Sequence, residues 1–408
     1  MTLKNKDFLL KESKVFCMFP WIHLNVTPKG DIYPCCSNDY SNSFGNVKEN
    51  SLSSTFNDEK MKQLRINMLS EEKSDICKFC YNHEQSSPYS FRRYSLDNWG
   101  KNFDELVPQT LDDGTVSTFK MKYLDIRFSN ICNFKCRTCG SEFSSQWAAE
   151  EKSNFNNSLP IIIHADDNKG NLLDEVLTHI DSIDLAYFGG GEPLITEEHY
   201  IILEEMIRRG RTDITLRYNT NASNLKYKNY DILNLWKHFK KVDISCSIDH
   251  YGERAEYIRH GTDWGKVESN LLMFRKLDYL GFQINTVFSI FNYLTLTEFY
   301  SYLQDKNILR PDDYYNSLYL AVNPTYYSAK SLPKILKDQA KQKAEQFIKN
   351  KTNGITLNNL IKDAINFADE SNTWEENKQT FLMHTNSTDK IRNENFVKIF
   401  PELKLLTD

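Results

Sequence analysis

The chain has 408 residues, with 50 Lys+Arg against 55 Asp+Glu and a formal charge of −5, so at roughly 150 residues per domain it holds two or three domains. Hydrophobic residues make up 40% of it and aromatics 13%, which is apolar mass for a sizeable core and far from the composition of a disordered chain. The near-balanced charge disfavours non-specific DNA or RNA binding, and no apolar run approaches the roughly 20 residues that cross a bilayer.

The start, Met1-Thr2-Leu3-Lys4-Asn5-Lys6-Asp7, has no long apolar stretch ending in a small-residue cleavage site, so the expected location is the cytoplasm, with no membrane partner. Reducing cytosol disfavours structural disulfides. Cysteines at 17, 35, 36, 77 and 80, then 132, 136 and 139, then 246 alone, therefore point to metal or redox chemistry at two separate sites.

The first elements lie in Phe16-Cys17-Met18-Phe19-Pro20-Trp21-Ile22-His23-Leu24-Asn25-Val26 and Gly30-Asp31-Ile32-Tyr33-Pro34-Cys35-Cys36. Two apolar alternating runs around a Pro28-Lys29-Gly30 turn predict a hairpin with a thiol at each end. Its register brings Cys17 and Cys35 together, and Cys77-Lys78-Phe79-Cys80 supplies a CxxC pair that closes a four-thiolate site. Four cysteines with one CxxC fit a structural zinc as well as an iron–sulfur cluster. Residues 96–118, with Pro108, Asp112-Asp113-Gly114 and little periodicity, are expected to form a linker.

Beyond it, apolar or alternating runs at 123–128, 183–188, 214–218, 242–248, 282–288 and 318–322 predict six strands with helices between them, the pattern of parallel βα units. One helix is well marked by Thr196 as N-cap, Glu197 and Glu198 in the first turn, an apolar face of Leu203, Met206 and Ile207, and Gly210 as stop. Just after the first of these strands, Cys132-Asn133-Phe134-Lys135-Cys136-Arg137-Thr138-Cys139 places three thiols at Cx3Cx2C spacing. Three close thiolates hold three corners of a cubane cluster and leave one iron without a protein ligand, whereas zinc calls for a fourth Cys or His nearby.

Tyr187-Phe188-Gly189-Gly190-Gly191-Glu192-Pro193 ends the second strand, where glycines let a ligand approach the backbone. Asn221 after the third strand and Ser247 at the end of the fourth put polar groups at the strand ends where parallel α/β folds bind ligands. Cys246, within a strand, is most simply a buried small hydrophobe. After residue 326 the composition turns to Lys-, Asn- and Gln-rich helix formers. The seven lysines of 330–351, against Asp338 and Glu345, are expected to form a solvated helix face rather than a polyanion contact.

On the triplet and the Gly-Gly-Gly-Glu turn, the sequence resembles the radical S-adenosylmethionine (radical SAM) superfamily. The resemblance implies an α/β fold, a partial (β/α)6 TIM-type barrel over 119–325, and a [4Fe-4S] cluster on Cys132, Cys136 and Cys139. It implies that SAM is chelated at the open iron and cleaved by one electron to methionine and a 5′-deoxyadenosyl radical, which takes hydrogen from a substrate. Gly190, Gly191 and Glu192 are thereby assigned to the SAM amino group. Asn221, Ser247 and the downstream Arg259 become further SAM contacts, an arginine being a bidentate partner for carboxylate. The position before the last cysteine, often aromatic in this family, is Thr138 here.

Cys17, Gly30, Cys35, Cys77 and Cys80 resemble the twitch module, the half-SPASM domain. The resemblance implies an auxiliary [4Fe-4S] cluster on the four cysteines, with Cys36 as a spare and electron transfer as its role. The module commonly follows the barrel, and here, over 14–95, it precedes it; a helical extension over 326–408 completes the chain. The implied cofactors are SAM and two [4Fe-4S] clusters. The implied partners are a flavodoxin- or ferredoxin-type reductant and a peptide or small-metabolite substrate. A radical SAM reaction on a nucleobase or nucleotide is the alternative within enzymes, and a zinc-stabilised binding or scaffold protein is the alternative outside them.

Overall fold

In a computed structural model, which describes residues 5–85, 89–155, 160–167, 171–310, 313, 317–349 and 354–407, nine strands carry the main sheet. They are β1 (His23–Val26), β2 (Asp31–Tyr33), β3 (Gly45–Asn46), β4 (Tyr123–Ile126), β5 (Leu185–Phe188), β6 (Thr215–Thr220), β7 (Lys241–Ser247), β8 (Leu280–Phe288) and β9 (Ser317–Leu320). The chain divides into two compact units that do not follow chain order. The first comprises 1–130, 162–217 and 234–240, and the second 131–161, 218–233 and 241–408.

In the first unit the strand order is β6-β5-β4-β1-β2-β3, with β6 contributing only its first half. β4 and β5 are parallel, with Tyr123 opposite Leu185. β1 also runs parallel to β4, from His23 opposite Tyr123 to Val26 opposite Ile126, so the N-terminal hairpin extends the sheet past β4. β1 and β2 are antiparallel, and the turn between them needs Gly30, whose φ is +90° and whose Cβ would lie 2.5 Å from the Ala165 carbonyl oxygen. The strand is shorter than its alternating run. Phe19–Ile22 is a single helical turn with Pro20 at its start, where a missing N–H costs nothing, and Trp21 and Ile22 are wholly buried.

Residues 96–118 contain the end of the helix Phe91–Trp99, three short helical turns and a bridge between Thr110 and Val116. They are tied to helix α1 (Glu59–Ser70) by buried Arg65, which donates to the carbonyls of Pro20, Gly114 and Phe56 at 2.9, 3.0 and 2.6 Å.

In the second unit the order is β9-β8-β7, joined by the second half of β6. β7 and β8 pair in parallel with Cys246 opposite Ile284, and β8 and β9 with Phe288 opposite Leu320. β4–β9 are the strands of the expected α/β fold, a partial (β/α)6 barrel, and each falls within three residues of its expected run. Helix α2 (Ser145–Phe155) follows β4, and α3 (Glu197–Arg208) follows β5 with Thr196 before its first residue. Cys246 is fully buried on β7, as a small hydrophobe would be.

The C-terminal region is helical: α4 (Lys334–Ile348), α5 (Ile355–Asp369) and α6 (Trp374–Arg392). Lys334, Lys341 and Lys349 lie on the solvated face expected of them, while Lys351 lies outside the described residues. Lys337 departs from that pattern. It is 4% exposed and donates to the carbonyls of Lys330, Ala368 and Ser371 at 3.0, 2.8 and 2.7 Å, meeting acceptors that the end of α5 leaves open.

Candidate active site

In the second unit, Cys132, Cys136 and Cys139 lie on one loop that the local sequence ties down. Ser145 Oγ at the start of α2 accepts from the Cys132 N–H at 3.3 Å, and the Cys139 N–H donates to the Cys136 carbonyl at 3.0 Å. Lys135–Cys136 forms a short antiparallel ribbon with Arg259–His260, with Arg259 opposite Cys136. The approach is close because residue 261 is glycine: φ is +108°, and a Cβ would lie 2.9 Å from the Asn133 carbonyl oxygen.

Burial pushes the Cys136 thiol up to about 12, with Arg259 drawing it down and Cys139 adding to the rise; burial also raises Cys139. Desolvated thiols of this kind ionise when cations share the negative charge. Three soft donors on one loop therefore fit a cubane cluster with one iron left open.

Asn221, Ser247 and Arg259 line one small pocket of the second unit together with Phe134, Asp249 and Trp264. Asn221 Nδ2 donates to Asn133 Oδ1 at 3.0 Å, and its Oδ1 accepts from the Ser223 N–H at 3.0 Å, so it braces the thiol loop. Arg259 is clasped by Asp249 at 2.8 and 3.0 Å, and its Nη1 lies 3.8 Å from Cys136 Sγ. Burial would lower the Arg259 pKa, but Asp249 and then Cys136 hold it above its usual value. Asp249, which also accepts from the Val287 N–H at 2.8 Å, belongs to the polar strand end at 245–249 but was given no role of its own in the sequence.

Gly190, Gly191 and Glu192 belong to the first unit. Gly190 has φ +114°, and a Cβ there would meet the Arg127 side chain at 3.0 Å. Glu192 is buried, and its Oε1 accepts from the Leu194 N–H at 3.1 Å, opening the turn Pro193–Ile195.

The N-terminal cysteines also lie in the first unit. Cys17 and Cys80 are buried, Cys77 precedes the helix Lys78–His83, and Cys17 Sγ lies 3.1 Å from Ser95 Oγ. Burial pushes Cys17 and Cys77 each up to about 12 and raises Cys35 well above its usual value, with Cys36, Cys77, Cys17 and Cys80 all adding to the rise at Cys35. The four thiols thus share one neighbourhood. Among the described residues no three His, Cys, Asp or Glu side chains crowd closely enough to chelate a single metal ion. Burial raises Cys36 as well, with Asp125 adding to the rise and Arg127 opposing it, and Cys36 is first among the charges that raise Cys35.

A set of buried acceptors here was missed in the sequence. His23 Nδ1 lies 2.9 Å from the Tyr123 carbonyl and Asn25 Nδ2 donates to the Asp125 carbonyl at 3.1 Å; among the described residues His23 Nε2, Asn25 Oδ1 and the two Asp125 carboxylate oxygens have no hydrogen-bond partner. Asp125 pairs with Arg127 at 3.3 Å. The signal was polar residues on alternate positions of β1 and β4.

A family model described as the SPASM iron–sulfur cluster-binding domain matches residues 17–81, and one described as the radical SAM superfamily matches 126–301. Together they span more than half of the chain. Among solved structures, native anSMEcpe with bound AdoMet and Cp18Cys peptide is 18% identical with a TM-score of 0.38, over 58% of this chain and 62% of that one. Streptococcus suis SuiB bound to S-adenosylmethionine is 14% identical with a TM-score of 0.36, over 70% of this chain and 63% of that one. The chain spans about three-fifths of the length of these structures. No curated protein matches the sequence.

Proposed function

We propose that this chain, which belongs to the radical SAM superfamily, holds a [4Fe-4S] cluster on Cys132, Cys136 and Cys139 and takes a hydrogen atom from a peptide or small metabolite. A second [4Fe-4S] cluster, for electron transfer, belongs on Cys17, Cys35, Cys77 and Cys80. The observation that carries the reading is the thiol loop itself: three cysteines on one turn, closed by the Arg259–His260 ribbon and bordered by the pocket of Asn221, Ser247 and Arg259. When bound, the cluster supplies the electron that cleaves SAM to methionine and a 5′-deoxyadenosyl radical.

The chain's own residues position and shield. Asp249 fixes the Arg259 guanidinium so that Nη1 is turned toward the thiols, in reach of a carboxylate bound beside them. Asn221 and Gly261 hold Asn133 and Phe134 in place, so the loop does not relax over the pocket. Gly190, Gly191 and Glu192 are assigned the SAM amino group, and Ser247 a ribose hydroxyl. Among the described residues no helix is long and apolar enough to cross a membrane. Location in the reducing cytoplasm, with a flavodoxin or ferredoxin as electron donor, completes the reading.

The test is anaerobic. Reconstituted protein, reduced with dithionite in the presence of SAM, is expected to yield 5′-deoxyadenosine by mass spectrometry and to carry about eight irons per chain. A Cys132→Ala/Cys136→Ala/Cys139→Ala variant is expected to yield none and to carry about four. A colourless, zinc-loaded parent would overturn the reading.

A further inference from the structure

The radical SAM match ends at residue 301, yet the thiol loop is held by residues near 390. Arg137, between Cys136 and Cys139, has a fully buried side chain whose Nη2 pairs with both Asp389 and Glu394, and its guanidinium lies 3.7 Å from the Tyr257 ring centroid. Tyr257 donates to Asp389 at 2.7 Å, and His260 Nδ1 lies 2.6 Å from Glu394, so the ribbon opposite Cys136 reaches the same two carboxylates.

On the other side of Cys136, Lys135 pairs with Glu150, and buried Arg392 grips Glu150 at 2.8 and 3.1 Å. Arg392 also stacks on Trp147 at 4.6 Å, and Trp147 Nε1 donates to the Cys136 carbonyl at 2.6 Å. Both routes start at the last turn of α6 or just beyond it and end beside Cys136. Asp389 also has a local role, its Oδ2 accepting from the Phe396 N–H at 2.6 Å at the start of the helical turn Phe396–Ile399.

We propose that Asp389, Arg392 and Glu394 are positioning residues for the cluster on Cys132, Cys136 and Cys139, holding the thiol loop in cluster-binding geometry through Arg137, Lys135 and Glu150. This rests on the cluster reading above. Partners of ligand-bearing groups set metal retention as much as the ligands do, and their loss costs on the order of 10–100-fold.

The experiment compares the parent, Asp389→Asn/Glu394→Gln, Arg392→Met and Arg392→Lys, each reconstituted without oxygen. It follows iron release to a ferrous chelator and the EPR spectrum of the reduced protein with and without SAM. The Asp389→Asn/Glu394→Gln variant is expected to lose the triplet's four irons roughly tenfold faster or more, with an altered EPR response to SAM, while auxiliary iron leaves at the parent rate. Arg392→Met should behave likewise, and Arg392→Lys, which keeps the charge but loses the two-nitrogen grip and the stack on Trp147, should fall between Arg392→Met and the parent. Parent-like release and spectrum in both the double variant and Arg392→Met overturn the proposal. If the double variant does not fold, Arg392→Met against Arg392→Lys decides by the same two readouts. A Cys132→Ala/Cys136→Ala/Cys139→Ala variant that still holds the parent's full iron complement would sink the cluster assignment instead of the clamp.

Discussion

Buried arginines do different work around the two sets of thiols. Near Cys17 they bind main chain: Arg65 donates to three carbonyls and Arg92 to those of Ser13 and Phe16, both at 3.1 Å, in addition to its pair with Glu84. Near Cys136 they bind carboxylates: Arg259 with Asp249, Arg137 with Asp389 and Glu394, Arg392 with Glu150. An arginine on carbonyls stabilises local folding whatever the charge state of other side chains. One on carboxylates makes the thiol loop depend on other charges, some as distant in sequence as Asp389 and Glu394, and a buried pair broken on one side leaves an uncompensated charge.

The comparison breaks first at the thiols. Substituting the three cysteines at 132, 136 and 139 with alanine should abolish 5′-deoxyadenosine, while Cys77→Ala/Cys80→Ala should spare SAM cleavage and lose about four irons. Within the N-terminal set, Cys35→Ser should lose the same iron and Cys36→Ser should keep it, as expected if Cys35 is the ligand and Cys36 the spare; Cys17, Cys77 and Cys80 all act on Cys35. Next comes Arg65→Met, which strands several carbonyls in the first unit and should lower unfolding stability by about 3–5 kcal/mol in a urea titration.

Gly261→Ala is smaller, about 1–3 kcal/mol from left-handed backbone and a methyl against Asn133; its signature should be weaker iron retention at the triplet with auxiliary iron unchanged. The smallest effect is set by pH. Burial lowers the His23 pKa from 6.5 to about 4, so the unfolded chain takes up a proton that the folded one refuses. Its contribution is complete above pH 6.5 and is lost as pH falls toward 4. From pH 7.5 to 5.5 the parent should lose roughly 1.5 kcal/mol more stability than His23→Gln.

The strands and both cysteine sets were legible because their signals are local: period-two runs bounded by turns, and thiols a few residues apart. β5 begins at Leu185 rather than at the expected residue 183, because the turn Ile180–Ser182 occupies the chain up to that point. The turn Phe19–Ile22 was taken for strand because it lies in an apolar run read as alternating, whereas all four of its residues are buried, so alternation there carries no face. Asp125 and Asp249 were invisible as site residues, since a single carboxylate inside or after an apolar strand has no motif around it. The partners of Arg137 lay further out of reach: Asp389 and Glu394 are 252 and 257 residues away, and nothing in either segment points to the other.

That separation has a consequence in time. At ribosomal rates of roughly 5–20 residues per second, the thiol loop emerges about 13 to 50 s before residue 389 is made. Until then Arg137 lacks both of its carboxylates and Glu150 has Lys135 but not Arg392. The nascent chain can finish its hairpin and early sheet while Arg137 still waits for its carboxylates, so on the proposed cluster reading the triplet takes up iron after translation has passed the end of α6.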